Sequence, residues 1–409
     1  MKVPQSPNWT YVLKIQRYAF LTVLLLCACS AATEPPAPAP PNADETRACV
    51  EQYDPTVDYF PDKAQLAYAE GWTIDYFNHY KVITVLTPWQ ESDQTFEYLL
   101  VQCGTPTPDG FEHVQTIEVP AESIITMSTT YLPHLDELNL LDRLVGLDNI
   151  QFVNNPAVVT MHEEDALTEV GSGAEVNVEQ VLTLAPSLVM AYGSGNPQTD
   201  VHPQLLAAGV PVAINAEYTE PTPLGRAEWL KFTAAFFNRE ALAESAFHDM
   251  STTYEELVSR VSEVNERPSV LVNAPFEGTW YMSGGQSYIA NLLKDAGTSY
   301  LWADDTSTGS LPLSVETVFD RGIDAEYWFH PGTVSTIDAL LAIDDRLAQF
   351  RAVDSGQVYN NNRRLNAFGG NDFWESGVTH PDLVLADLIA IVHPTLLPDH
   401  ELYYYQQVK

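Results

Sequence analysis

The stretch NVEQVLTLAPSLVMAY, residues 177–192, joins a helix-spaced segment to an apolar run, and its opening returns at SVETVFDRGIDAEYWF, residues 314–329. Each copy starts with a residue that caps helices well, Asn177 or Ser314, because a side-chain oxygen can satisfy a free N–H of the first turn. Each then reads Val-Glu, with another Val two positions on, and ends in a short apolar run that suits a buried strand. Two such corners in one chain predict two lobes of like design.

Working outward, the same order of strand, loop, helix and strand fills the chain from about residue 119. In the first half ESIITMST, LVGL, LVMAYG and PVAINAE read as strands, with HLDELNLLDRL, NVEQVLTLA and HPQLLAAG as helices. After residue 268 SVLVNAP, SYLWAD, AEYWFHP and QVYNN are strands, while SYIANLLKDAG, SVETVFDRG and IDALLAIDDRLAQF are helices. Between the halves, residues 239–267 lack Gly and internal Pro until Arg267-Pro268, and predict one helix of roughly 40 Å. The expected fold class is α/β: two Rossmann-like lobes with parallel sheets, residues 119–238 and 268–409, joined by one long helix, with a ligand cleft between them. Ligands of such sheets sit at the carboxyl ends of strands, where this chain places loops rich in aromatics, Gly and Asn. Residues 46–118, rich in β-branched and aromatic residues, predict a small mainly β extension in which WTIDYFNHYKVITVLTP pairs with QTFEYLLVQC.

The N-terminal 28 residues read as an export signal. Lys14 and Arg17 precede an apolar run at 18–26, too short for the ~20 residues of a bilayer span, and the run closes on LCACS. That ending resembles a bacterial lipobox, which implies lipidation of Cys29 and anchoring to a membrane. Residues 29–45 are Ala/Pro-rich and predict an extended tether. In an exported chain the remaining pair, Cys49 and Cys103, is expected to form a disulfide. The balance of 19 Lys+Arg against 55 Asp+Glu, net −36, argues against nucleic acid as a partner.

The residues STTYLPHLDELNLLDRLVGL, NVEQVLTLAPSLVMAY and AAGVPVAINAE in the first half, and WYMSGGQSYIANLLKDAGTSYLWADD, LSVETV and NAFGGNDFWESGVTHPDLVLADLIAIVHPTLLPD in the second, resemble the substrate-binding proteins of ABC importers. The resemblance is to the helix-linked class that handles ferric siderophores, haem and vitamin B12, and spans most of residues 119–400. It implies a monomeric clamp that delivers cargo to permease subunits, and a surface glutamate on each lobe meeting permease arginines, here Glu179 and Glu316. First-turn glutamates also favour the helix dipole, so the repetition carries that assignment more than either residue does.

For cargo contact the sequence offers aromatics on loops at strand ends: Tyr131 and Tyr192 in the first lobe, Trp280, Tyr281, Phe373 and Trp374 in the second. Arg363 and Arg364 form an isolated basic pair in an acidic chain, suited to an anionic ferric chelate, with Asp372 and Glu375 as competing local partners. The expected cargo is thus a ferric siderophore, with vitamin B12 or haem as alternatives of the same fold; a surface adhesion or scaffold lipoprotein is the reading of a different class. No cofactor beyond the lipid and no directly bound metal is expected: the ten His are scattered, and MHEED at 161–165 reads as an acidic helix start. The chain contains no G-x-S-x-G, G-x-x-x-x-G-K-[ST] or H-E-x-x-H motif, so nothing supports an enzyme.

Overall fold

A computed structural model describes residues 49–409, so the expected signal segment, Cys29 and the tether lie outside the described residues. Four strands come first: β1 (Trp72–Tyr76), β2 (Tyr80–Val85), β3 (Phe96–Gln102) and β4 (Gln115–Val119). The first three pair antiparallel and β4 lies parallel to β3. The run 72–88 expected as one segment is therefore a hairpin, turned where Asn78 and His79 interrupt the apolar alternation and the Phe77 N–H donates to the Tyr80 carbonyl. A disulfide joins Cys49 to Cys103 just beyond β3.

This sheet shares one apolar core with lobe 1. Trp72 meets Phe232 edge-on with ring centroids 5.3 Å apart, and Trp229 lies 5.9 Å away. Two buried carboxylates fasten the strap before β1. Glu228 accepts the backbone N–H groups of Ala67, Tyr68 and Ala69 at 2.7–3.1 Å. Glu220 accepts those of Glu70 and Gly71 and the Trp229 indole N–H. Hydrogen bonds to a charged acceptor contribute about 1.5–3 kcal/mol each, which makes the extension part of the lobe rather than an appendage.

Lobe 1 carries β5 (Ile124–Thr126), β6 (Leu144–Leu147), β7 (Thr168–Glu169), β8 (Leu188–Ala191) and β9 (Val212–Ile214). They form a parallel sheet ordered β7-β6-β5-β8-β9. Every residue of β5, β8 and β9 is buried, as expected of strands covered on both faces. The surrounding helices are α1 (Leu132–Glu137), α2 (Pro156–Glu163), α3 (Val178–Leu184), α4 (His202–Ala207), α5 (Pro223–Ala227) and α6 (Trp229–Ala235). Asn177 caps α3 as its sequence suggests, accepting the Gln180 N–H at 3.1 Å.

The linking helix α7 runs Glu240–Ser262, 23 residues or about 35 Å, and ends before the expected 267. Glu263 and Glu266 set negative charge against the negative end of the helix dipole, and Pro268 disfavours helical geometry just ahead of it. Ala243 of α7 belongs to the core of lobe 1, while Phe247, Met250, Tyr254, Leu257 and Val261 belong to that of lobe 2. One helix thus ties both cores.

Lobe 2 contains β10 (Ser269–Val272), β11 (Pro275–Phe276), β12 (Thr279–Ser283), β13 (Ser299–Tyr300), β14 (Ser310–Ser314), β15 (Tyr327–Phe329), β16 (Val358–Asn360) and β17 (Gln406–Gln407). Its main sheet is ordered β13-β10-β15-β16-β17, parallel except for β17; β11, β12 and β14 make a small antiparallel sheet beside it. Its helices are α8 (Tyr288–Asp295), α9 (Val315–Gly322), α10 (Ile337–Leu341), α11 (Arg351–Asp354), α12 (Ser376–Thr379) and α13 (Pro381–Val392). The stretch 337–350 is not one helix: Asp344 caps the Arg346 N–H and restarts the chain as a 3-10 turn.

Candidate functional site

In lobe 2 the strand order reverses between β10 and β15, so their two carboxyl ends diverge and leave a crevice. The residues at those ends, Asn273 and His330, both sit in left-handed backbone geometry, φ 63° and 55°. Such strained positions persist where surrounding structure holds them, and they concentrate at ligand sites. Asn273 is fixed by donating to the Tyr281 carbonyl at 2.7 Å; His330 Nε2 shares a 2.6 Å hydrogen bond with the Tyr405 hydroxyl. Burial pushes His330 down to about 4, so the ring is neutral near pH 7. With Asn361 and Asn362 beyond β16, and Asn371, Leu365 and Trp374 on the facing loop, these residues line a cavity of about 550 Å³.

A second cavity of about 310 Å³ crosses from lobe 1 to lobe 2 and shares Trp374 with the first. Lobe 1 contributes Tyr218, Thr219 and Arg226; lobe 2 contributes Ser283, Ser287, Tyr288 and the turn at Thr308–Ser310. Arg226 is buried in an ion pair with Glu217, and its guanidinium lies 5.2 Å from the centre of the Tyr288 ring. The Tyr218 hydroxyl donates to the Gly193 carbonyl at 2.6 Å, and burial pushes its pKa up to about 12. Among the described residues lining the two cavities, Arg226 is the only cation and Glu220 the only carboxylate, and both are satisfied internally. The cleft is an amide- and hydroxyl-lined space with one exposed indole.

That indole, Trp374, is 42% exposed and is the one proposed cargo aromatic found in the cavity lining. Three others are corrected. Tyr131 is 1% exposed, its hydroxyl donating to the Asn215 carbonyl; Trp280 is 0% exposed, packed on Trp328 with its N–H on the Val272 carbonyl; Phe373 is 1% exposed, between His330, Tyr404 and Tyr405. Their rings fill the core because each lies on an inward-facing position of its segment, and none offers a face to a bulky ligand. Tyr192 and Tyr281 are exposed but line neither cavity.

The basic pair stands apart from these two cavities. Arg363 is exposed and lines neither cavity; Arg364 pairs with Asp372, stacks over Tyr403 at 4.3 Å and lines a separate interlobe cavity of about 190 Å³ with Asp136, Asn154 and Asn155 of lobe 1. Reading the sequence alone missed Asn273, His330, Asn361, Asn362, Tyr218, Arg226 and Tyr288, although Asn-rich strand ends were a visible signal for the first, third and fourth.

The same loop fastens the lobes together. Glu375 accepts the N–H groups of Asn154 and Asn155 at 2.7 and 2.8 Å, and His380 bonds Glu137 at 3.1 Å. Burial pushes Glu375 up to about 7, against the pull of those two N–H groups. The bond to Glu137 pushes His380 upward.

Glu179 and Glu316 lie exposed in the first turns of α3 and α9. Glu316 pairs with Arg346 at 3.2 Å, and Arg346 also holds Asp344 at 2.6 Å; among the described residues no ion pair engages Glu179. Among these residues no helix is long and apolar enough to cross a membrane.

Residues 124–364 match the family described as periplasmic binding protein. An uncharacterized lipoprotein of Methanocaldococcus jannaschii is 26% identical over 328 residues, covering 76% of this chain and 80% of that one. Among solved structures, a possible iron-binding (periplasmic solute-binding) protein of Staphylococcus epidermidis superposes with a TM-score of 0.54 at 15% identity, over 67% of this chain and 99% of that one. A periplasmic heme binding protein of Pseudomonas aeruginosa gives 0.52 at 20% identity, over 71% and 98%. With two lobes built on largely parallel sheets, a single linking helix and a family match over more than half its length, the chain belongs to the periplasmic binding protein family, a family of binding proteins rather than enzymes.

Proposed function

We propose that the protein is the lipid-anchored, cargo-capturing component of an ABC importer for a bulky metal chelate of near-zero net charge, a neutral ferric siderophore or a corrinoid. The charge of the cleft lining carries this reading. A polyanionic chelate would find no unpaired guanidinium there and would also meet the repulsive field of a chain with net charge −36. Three hydroxamates neutralise Fe(III), and the amides and hydroxyls of the cleft suit the polar periphery of such a complex, with Trp374 as its apolar face. Haem fits less well, since His330 Nε2 and the Tyr218 hydroxyl are already engaged with Tyr405 and Gly193. The lipoprotein relatives support anchoring through Cys29. Glu179 and Glu316 would dock the two lobes on permease subunits, with the Glu316–Arg346 pair exchanged for permease arginines on contact.

Titrating intrinsic tryptophan fluorescence of residues 45–409 with a neutral ferric trihydroxamate, cobalamin, haem and a trianionic ferric tricatecholate tests the reading. Saturable quenching by a neutral chelate, unchanged within about twofold when Arg363→Ala and Arg364→Ala are combined, is expected. Binding of the tricatecholate alone, lost in the double variant, would overturn it.

A further inference from the structure

The loop between β2 and β3, residues 86–95, reaches past lobe 1 to the cleft. Gln90 at its tip lines the interlobe cavity beside Tyr218 and Trp374. It also faces the other lobe: a Cβ placed on Gly309 would lie 3.4 Å from Gln90 Oε1. The loop is held there by Trp89, whose indole covers Gly193 and Gly195 in the turn after β8 and stacks near His202 with centroids 6.1 Å apart. Any side chain at those glycines would collide with the indole, since Cβ atoms would come within 2.7 and 2.8 Å of it. The loop precedes residues 124–364, so it is not among the parts matched to the family.

We infer that this loop is a third wall of the cargo cleft, with Gln90 a specificity-determining residue whose carboxamide hydrogen-bonds a polar group on the chelate and Trp89 its positioning residue. The wall meets the cargo with an uncharged donor and acceptor, as does the rest of the lining. Gln90 is exposed, while Trp89 fixes where its backbone stands.

The inference rests on the cleft being a chelate site, and calorimetric titration separates the two. Using the chelate that binds wild-type protein best, Gln90→Ala and Gln90→Leu are each expected to weaken binding roughly two- to tenfold, the scale of one net hydrogen bond, and to change the ratio of affinities between two chelates of different periphery. Trp89→Ala should give the same change in ratio; because its packing also contributes to stability, the exposed Gln90 variants decide the matter, with unchanged thermal unfolding as their control. Wild-type affinity and ratio in both Gln90 variants would overturn the wall, leaving the cargo reading intact. Loss in Gln90→Ala but full affinity in Gln90→Leu would overturn the hydrogen bond. No binding of any chelate by wild-type protein would overturn the cargo reading and the wall with it.

Discussion

Glu375 makes stability depend on pH in the direction opposite to an ordinary surface carboxylate. Its carboxyl titrates near 4.5 in an unfolded chain, and burial, helped by nearby Asp372, raises it to about 7 in the folded protein. Between those values the folded state keeps a proton that the unfolded state has released, so unfolding becomes easier as pH rises. The gap of about 2.5 units, at about 1.36 kcal/mol per unit, is worth about 3 kcal/mol, fully present below pH 4.5 and lost once pH passes about 7. Urea unfolding of wild type and Glu375→Gln between about pH 5 and pH 8 isolates the effect, because Gln cannot ionise while Glu137, His380 and Asp382 titrate in both proteins. The stability of wild type relative to the variant should fall by about 2–3 kcal/mol across that range. Parallel pH profiles would refute the buried, proton-retaining carboxylate. Since Glu375 bridges to Asn154 and Asn155, the same range should loosen the contact between lobes.

Two further outcomes are expected. Reducing the Cys49–Cys103 bond, which closes a loop of sequence separation 54, should cost about 4 kcal/mol of stability on the chain-entropy account, read as a lower unfolding midpoint in urea with reductant. Charge reversal at both Glu179 and Glu316 should abolish uptake in cells while cargo affinity in solution stays within about twofold of wild type; normal uptake would remove the docking assignment.

The lobes were legible because their signals are local: capping residues before helices, wholly apolar four-residue strands, and a long breaker-free segment between halves. Aromatics were read less well. Trp280 and Phe373 sit on loops or strands whose inward face only the tertiary packing identifies, and an indole on a core strand looks like one on a cleft wall until its neighbours are known. Trp374 differs from Phe373 by one position and by everything that surrounds it. Arg364 was drawn toward the cargo by its rarity, yet Asp372, eight residues on, reaches it first. The cleft asparagines were visible only as a tendency of strand-end loops. Gln90 carried no sequence signal, since WQESD reads as any polar hairpin turn and its significance arises from the glycines that Trp89 covers a hundred residues later.

The bond between Cys49 and Cys103 also sets where mechanical load enters the molecule. A pull on the chain ahead of Cys49 passes through the sulfur atoms to the end of β3, a strand flanked on both sides by β2 and β4. The strap at 50–71 is bypassed, so tension is shared in shear by two rows of hydrogen bonds instead of peeling the extension from lobe 1 one contact at a time. Under such a pull the Trp89 loop, and the cleft behind it, would stay in place.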